Sequence, residues 1–164
     1  MKVALFDIKD FERPYFEQAL DSREFDLQFV SQSVSPSSIT TIDSAEAVVV
    51  FVNDNLGGEN LRLLREKGVS LIALRCAGFN NVDLKMAHDL GMSVMHVPHY
   101  SPEAVAEFTL GLILSVMRHI PLASRRTRDM NFSLSGLVGE NLSGQPVGII
   151  GTGLIGSSLV KLLR

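Results

Sequence analysis

The sequence has no tryptophan and a single cysteine, Cys76. One thiol excludes an intramolecular disulfide and any site built from several thiolates. It fits a reducing compartment rather than a disulfide-stapled secreted scaffold. An excess of positive charge is also missing, since 15 Lys and Arg stand against 18 Asp and Glu for a net charge of −3. No electrostatic footprint for nucleic acid follows from such a balance. The small cluster Arg125, Arg126 and Arg128 reads as a solvated helix face. Long hydrophobic runs are absent as well. The N-terminal run ends at Asp7, too early for a signal peptide. The stretch from Phe108 to Met117 falls far short of the roughly 20 residues that span a bilayer. The histidines show no metal-ligand spacing with acids, so no metal is implied. What is present is an ordinary share of apolar residues, 46%, with 20% charged. That is enough to build a core, and it excludes disorder. A soluble, cytoplasmic protein without membrane or nucleic-acid partners is expected.

A length of 164 residues suggests one domain, or one and a part. Lys2 to Phe6 reads as a buried strand and Glu12 to Leu20 as a helix that Pro14 can begin. Phe25 to Phe29 alternates apolar and polar residues, as a half-exposed or edge strand does. Ser31 to Thr41 is a loop or a short weak helix. Ala47 to Val52 is a continuous β-branched run, the mark of a strand covered on both faces. Turn residues follow at Asn53–Asn55 and Gly57–Gly58. A helix from Leu61 to Lys67 is closed by Gly68. Val69 to Leu74 is a strand, Val82 to Leu90 a helix closed by Gly91, and Ser93 to Val97 another strand. This alternation predicts a parallel, doubly wound α/β sheet.

Ser101-Pro102-Glu103 then opens a helix, with Ser as N-cap, Pro at the first helical position and Glu at the positive end. It is apolar on nearly every face up to Met117, which predicts burial throughout, as between two packed bodies. Pro121 interrupts, and a more polar helix runs through Arg128. Asn131 to Gln145 reads as a loop. Pro146 to Ile150 reads as a strand.

That strand runs into Gly151-Thr152-Gly153-Leu154-Ile155-Gly156. Glycines at this spacing are a weak signal alone, but here they follow an apolar strand and open a helix. Gly151 would form the tight turn, Gly153 would admit a pyrophosphate, and Gly156 would let helix and strand pack closely. The phosphates would sit on the helix N-terminus, at the backbone of Leu154 to Gly156. The competing reading is a glycine-rich βα turn with no ligand. The acid that binds a ribose would fall roughly 20 residues beyond the last glycine, which is past Arg164, so NAD and NADP are not distinguished.

A second constellation, Arg75-Cys76-Ala77-Gly78-Phe79-Asn80-Asn81-Val82-Asp83, follows a buried strand. In open α/β sheets such strand ends bind ligands. The small residues Ala77 and Gly78 would expose consecutive backbone N–H groups suited to a carboxylate. Equally, the segment could be a turn in which Asn81 or Asp83 caps the next helix. A third constellation runs from Val97 to Glu107, again from a strand end into a helix start.

These stretches, in this order, resemble the D-isomer-specific 2-hydroxyacid dehydrogenases, most closely the bacterial fermentative D-lactate dehydrogenases. The resemblance rests on F-V-N-D-N at 51–55, L-I-A-L-R-C-A-G-F-N-N-V-D-L at 71–84 and S-P-E-A-V-A-E at 101–107. R-T-R-D-M-N-F-S-L-S-G-L at 126–137 and V-G-I-I-G-T-G-L-I-G at 147–156 complete it. It implies a flavodoxin-like parallel-sheet substrate domain over 1–100, an interdomain helix over 101–120, and over 121–164 the truncated start, a first βα unit, of a Rossmann NAD-binding domain. The active site would lie in the cleft between the domains. The Ala77 and Gly78 backbone would hold the substrate carboxylate, with Phe51 and Tyr100 lining the pocket. Phe51 lacks the hydroxyl that Tyr carries at this position in many relatives. Val105 would touch the nicotinamide side, and the Ile155–Gly156 backbone would carry the pyrophosphate. The implied reaction is reduction of pyruvate to D-lactate by NADH, in a homo-oligomer. The Arg, Glu and His that this chemistry needs would all lie beyond Arg164, leaving the 164 residues inactive alone.

His88, His96 and His119 are accordingly not catalytic, and His99 is the one nearest the expected cleft. Cys76 reads as a packed small side chain. A non-enzymatic NAD(H)-sensing or corepressor-like relative is the alternative. A phosphoacceptor domain built on Asp54 and Asp7 is a third reading. Against it, acidic partners beside Asp7 are thin and no Lys marks the strand end at Val97.

Overall fold

The first strand is buried on both faces, from Val3 to Phe6, and this sets the architecture. The computed structural model of the chain describes residues 1–19 and 24–164. Strands β1 (Lys2–Phe6), β2 (Asp26–Val30), β3 (Ala47–Val50), β4 (Leu71–Leu74) and β5 (Ser93–His96) form one parallel sheet in the order β2-β1-β3-β4-β5. This is the flavodoxin-like order. Because side chains alternate across a strand, Ala4 and Phe6 face one side and Val3 and Leu5 the other. The first side carries the larger core, where Val48, Val50, Ile72 and Leu74 meet Ile39, Leu61, Leu64 and Ala87. On the second, Val3, Leu5 and Ala47 pack with Phe16, Phe25, Leu27 and Phe29. Each fully buried Leu or Ile contributes about 1.5–3 kcal/mol. The residues on the larger core's side come from α2 (Pro36–Thr40), α3 (Gly58–Glu66) and α4 (Leu84–Asp89), while α1 (Arg13–Ala19) supplies Phe16.

The predicted elements recur, most with moved ends. Helix α3 begins at Gly58 rather than Leu61, β2 is shifted by one residue to Asp26–Val30, and β3, β4, α4 and β5 are shorter. Glu12 precedes α1, and Leu20, expected to close it, lies outside the described residues. Phe51 and Val52 fall beyond β3, and Val97 beyond β5. The Ser31–Thr41 segment holds the short helix α2, stapled by a capping box between Ser35 and Ser38. Gly68 and Gly91 take φ of +96° and +67° after α3 and α4, the left-handed closure expected of them. Strand β2 is an edge strand, as its alternation predicted.

The chain divides into two compact units, Met1–Tyr100 and Ser101–Arg164. The second is built from α5 (Pro102–Met117), α6 (Ile120–Arg128) and α7 (Leu154–Leu162), with α5 packed on α6 and α7. Helices α5 and α6 meet at 66°, with the turn at His119, whose φ is +52°. Among the described residues no single helix is long and apolar enough to cross a membrane.

Four expectations fail in this unit. Helix α5 is not buried throughout: Ala106 is its one buried residue, while Phe108, Leu112 and Val116 are exposed. All-round apolarity shows that a helix can be covered on every side, whereas its neighbours in this unit cover only part of it. Ser101 stands at the N-cap position in a left-handed conformation, φ +35°, and its side chain makes no cap bond. Residues 146–150 form no strand. A strand is defined by the ladder it shares, and no described segment pairs with this one. The basic cluster is not wholly solvated either, because Arg126 donates to the Ser133 and Ser135 carbonyls and ties the following loop to α6.

Candidate functional site

Strands that run parallel deliver their loops to one sheet edge, and here that edge is organised by Arg75 at the end of β4. Its Nη1 donates to Glu12 Oε1 at 2.6 Å, and its Nη2 donates to the Asp7 and Phe6 carbonyls at 2.8 and 3.3 Å. One guanidinium thus joins the ends of β1 and β4 to the start of α1. Its carbon also lies 4.4 Å from the centroid of the Phe51 ring, within range of a cation–π contact. Phe51, one residue past β3, is held from its backbone as well. Its amide donates to Asp54 Oδ2 at 2.6 Å, and its carbonyl accepts from Asn81 Nδ2 at 3.1 Å.

Asp54 is buried, and its other oxygen, Oδ1, accepts from the Val34 amide at 2.7 Å. Both carboxylate oxygens are spent on backbone donors. The phosphoacceptor reading, which needed this group free at a strand end, is therefore corrected: Asp54 is a structural acceptor. The two capping candidates separate. Asp83 accepts from the Met86 amide at 2.9 Å and caps α4, whereas Asn81 crosslinks the Phe51 and Asp54 carbonyls.

Between them runs the loop from Cys76 to Asn80, whose carbonyls and amides are treated differently. The Cys76 carbonyl accepts from the Val97 amide at 3.1 Å. The Ala77 carbonyl lies 2.9 Å from His96 Nδ1, and the Gly78 carbonyl accepts from the Cys76 thiol at 3.2 Å. No described group accepts from the amides of Ala77, Gly78, Phe79 or Asn80. Ala77 is half-buried and Gly78 exposed, and a methyl added at Gly78 would meet nothing within 4 Å. The loop therefore presents a run of unspent N–H donors, with open space beside Gly78, the arrangement that suits an anion. Cys76 itself is buried, and burial pushes its thiol above the ordinary range, outweighing the opposing pull of the Arg75 charge. It stays a neutral S–H donor rather than a nucleophile.

In the second unit the glycine pattern opens α7. Gly151 takes φ +91°, the left-handed turn that favours glycine. A methyl at Gly156 would overlap the Gly151 carbonyl, while one at Gly153 would meet nothing within 4 Å. Turn, open approach and close packing thus fall on the three glycines in the order the dinucleotide fingerprint requires. Leu154, Ile155 and Gly156 form the first turn of α7, where backbone N–H groups are free for phosphate oxygens. The residues fit a dinucleotide pyrophosphate.

The structure brings Phe51, Ala77 and Gly78 to one sheet edge. Tyr100 lies beyond β5, exposed, with no recorded bond to them. Val105 sits in the first turn of α5, and its carbonyl accepts from Thr109 Oγ1. His88 and His99 are exposed, and the ring of His119 lies 3.3 Å from the Val138 carbonyl. Among the described residues no three His, Cys, Asp or Glu side chains gather as a metal site. Sequence reasoning gave Arg75 no role of its own, read Asn81 only as a possible cap and set His96 aside as non-catalytic. Arg75 and His96 do stand at strand ends in the sequence, which was the one available signal.

A family model for the D-isomer specific 2-hydroxyacid dehydrogenase catalytic domain matches residues 3–157. A 2-hydroxyacid dehydrogenase homolog of Haemophilus influenzae is 47% identical over 164 residues, covering 100% of this chain and 50% of that protein. The apo-structure of D-lactate dehydrogenase from Escherichia coli matches with a TM-score of 0.90 at 44% identity, over 99% of this chain and 52% of that one. D-lactate dehydrogenase from Aquifex aeolicus, solved complexed with NAD and lactic acid, matches with a TM-score of 0.81 at 31% identity, over 98% of this chain and 47% of that one. The chain spans about half the length of these relatives. Since the match runs through both units and shares their fold, the chain belongs to the D-isomer specific 2-hydroxyacid dehydrogenase family.

Proposed function

We propose that this chain supplies the substrate-carboxylate site and the opening turn of the cofactor site of an NAD-dependent D-2-hydroxyacid dehydrogenase that reduces pyruvate to D-lactate. The observation that carries this reading is the loop in which the Cys76, Ala77 and Gly78 carbonyls are tied down and the amides of residues 77–80 are unspent. Two amides on one carboxylate form charge-assisted bonds. Both amides belong to the backbone, so the site needs no side-chain cation of its own and fixes a substrate by its acid end. Phe51, held on Arg75, gives the pocket an apolar wall suited to a short acyl chain. Tyr100 is assigned to the same pocket, and Val105 to the nicotinamide side.

NADH, when bound, supplies the hydride. Leu154, Ile155 and Gly156 would hold its pyrophosphate by their amides, and Gly151 and Gly153 would leave space for it. The D-lactate dehydrogenases of Escherichia coli and Aquifex aeolicus support the substrate by similarity, and the bound NAD of the second supports the cofactor. On this reading residues 1–100 are the substrate domain, 101–120 the interdomain helix and 121–164 the start of the cofactor domain. The protein works in the cytoplasm as a homo-oligomer. The proton donor and the carbonyl-polarising cation are assigned outside these 164 residues, so the chain alone turns over no pyruvate.

Titration of the isotope-labelled chain, followed amide by amide, tests both halves. Pyruvate should shift the resonances of Ala77 and Gly78, and NADH those of residues 151–156. Perturbation elsewhere, with these unmoved, would sink the reading. Pyruvate-dependent NADH oxidation by the purified chain would overturn the assignment of the acid–base groups.

A further inference from the structure

Of the three bonds that tie down the carbonyls of Cys76, Ala77 and Gly78, one comes from a side chain of another strand. His96, the last residue of β5, places Nδ1 2.9 Å from the Ala77 carbonyl. A carbonyl only accepts, so the ring nitrogen is the donor, and Nδ1 carries the proton. The ring is steadied by Phe79, whose edge it meets at 5.2 Å between centroids and 72° between planes. These contacts span the mouth of the loop, beside the backbone bond from Val97 to Cys76.

The consequence lies in the peptide that follows. In a trans peptide the carbonyl of one residue and the N–H of the next point in opposite directions. Whatever fixes the Ala77 carbonyl therefore fixes the Gly78 N–H. That constraint matters at this position, because Gly78 has no Cβ and nothing within 4 Å of where one would stand. Glycine costs little to rotate, so the Ala77–Gly78 peptide, though bonded carbonyls flank it at Cys76 and Gly78, would otherwise keep a rotation that changes the direction of its N–H.

We propose that His96 is a positioning residue: its Nδ1–H holds the Ala77 carbonyl toward β5 and so aims the Gly78 amide outward at the substrate carboxylate. The inference rests on the carboxylate role given to this loop above. It assigns His96 no part in proton transfer. The histidine acts on binding by removing a peptide rotation that a bound carboxylate would otherwise have to freeze.

The test uses the full 164-residue chain with Gly78 observed directly. Residual dipolar couplings of the Gly78 N–H report its direction, and pyruvate itself is the ligand probe. In the wild type the coupling should fit a single direction and the ring should show a protonated Nδ1. His96→Ala should collapse the coupling by averaging and weaken pyruvate about tenfold, the order of one lost hydrogen bond. His96→Asn, whose amide nitrogen reaches about as far as Nδ1, should restore the coupling and bring pyruvate affinity within about threefold of wild type. A merely structural role would not be rescued this way. An unchanged Gly78 coupling in His96→Ala overturns the positioning role, whatever pyruvate does. A fixed Gly78 coupling in the wild type, with none of the amides 77–80 responding to pyruvate, overturns instead the carboxylate reading on which the inference rests.

Discussion

The Arg75 guanidinium carbon stands over the Phe51 ring, 4.4 Å from its centroid, while its nitrogens bind Glu12 and two carbonyls of the β1 end. The contact joins charge to shape. A residue that knits three chain segments also serves as the floor of the apolar wall. Replacing it separates the two contributions. Arg75→Met should lose about 2–3 kcal/mol, somewhat under the cost of breaking a fully buried pair because Glu12 is partly solvated. Arg75→Lys keeps the charge but not the planar stack or the fork, and should lose about 1 kcal/mol while freeing the Phe51 ring. Urea unfolding gives the first quantity. Aromatic resonances of Phe51 give the second, and an Arg75→Lys variant as stable as wild type with its Phe51 ring unchanged would deny the cation–ring contact any role.

Asp54 offers a sharper case, because both its oxygens accept from backbone amides inside the fold, from Val34 at 2.7 Å and Phe51 at 2.6 Å. Asp54→Ala strands both donors, at about 1–3 kcal/mol each before relaxation. A loss of about 3 kcal/mol in urea unfolding is expected. Asp54→Asn keeps one acceptor and turns an N–H toward the other donor, so it should lose nearly as much. A variant within 0.5 kcal/mol (roughly the scatter of surface substitutions) would show that water replaces the carboxylate.

How far the sequence foretold this molecule follows from the range over which each interaction acts. The five strands and the left-handed closures at Gly68 and Gly91 were legible because β-branched runs and glycine turns are local signals. The glycine pattern before α7 was legible for the same reason. Arg75 was not, because its partners Glu12 and Phe6 stand 63 and 69 residues away. Asn81 looked like a cap because capping is the local use of Asn, yet its partners are across the loop at Phe51 and Asp54. Residues 146–150 carry strand composition without a strand, since composition cannot supply the neighbour that a ladder requires. The same gap explains α5, whose apolar faces promise a cover that its own unit only partly provides.

Two glycine substitutions should part company. At Gly156 an added methyl would overlap the Gly151 carbonyl, backbone that cannot step aside cheaply. Gly156→Ala should therefore distort the first turn of α7, visible as shifted amides from 151 to 157. At Gly78 the same methyl meets open space, so Gly78→Ala should unfold at the same urea concentration as wild type. If the loop receives a carboxylate, that methyl occupies the approach, and pyruvate should lose at least about tenfold in affinity, or about 1.4 kcal/mol. Undiminished pyruvate binding in Gly78→Ala would place the anion elsewhere.

Cys76 carries a pH dependence whose sign is fixed by burial. The folded chain holds the thiol proton to a higher pH than the unfolded chain does, because burial disfavours the thiolate more than Arg75 favours it. Over the interval between the two ionisations the native state binds more protons, so stability falls as pH rises. The thiol's contribution is whole below the ordinary ionisation near about pH 8.5, and declines above it until the folded thiol ionises too. Cys76→Ala removes the titrating group while sharing every other alkaline transition. The stability difference between wild type and Cys76→Ala should be flat from pH 6 to about 8. Above that it should shift against the wild type, by at most about 1.4 kcal/mol per pH unit. The same burial predicts slow alkylation at neutral pH, with the rate rising to that of the unfolded chain in urea. A difference that stays flat through pH 10, or a thiol alkylated as fast in the native chain as in urea, would show that Cys76 is open to water and free of its bond to the Gly78 carbonyl.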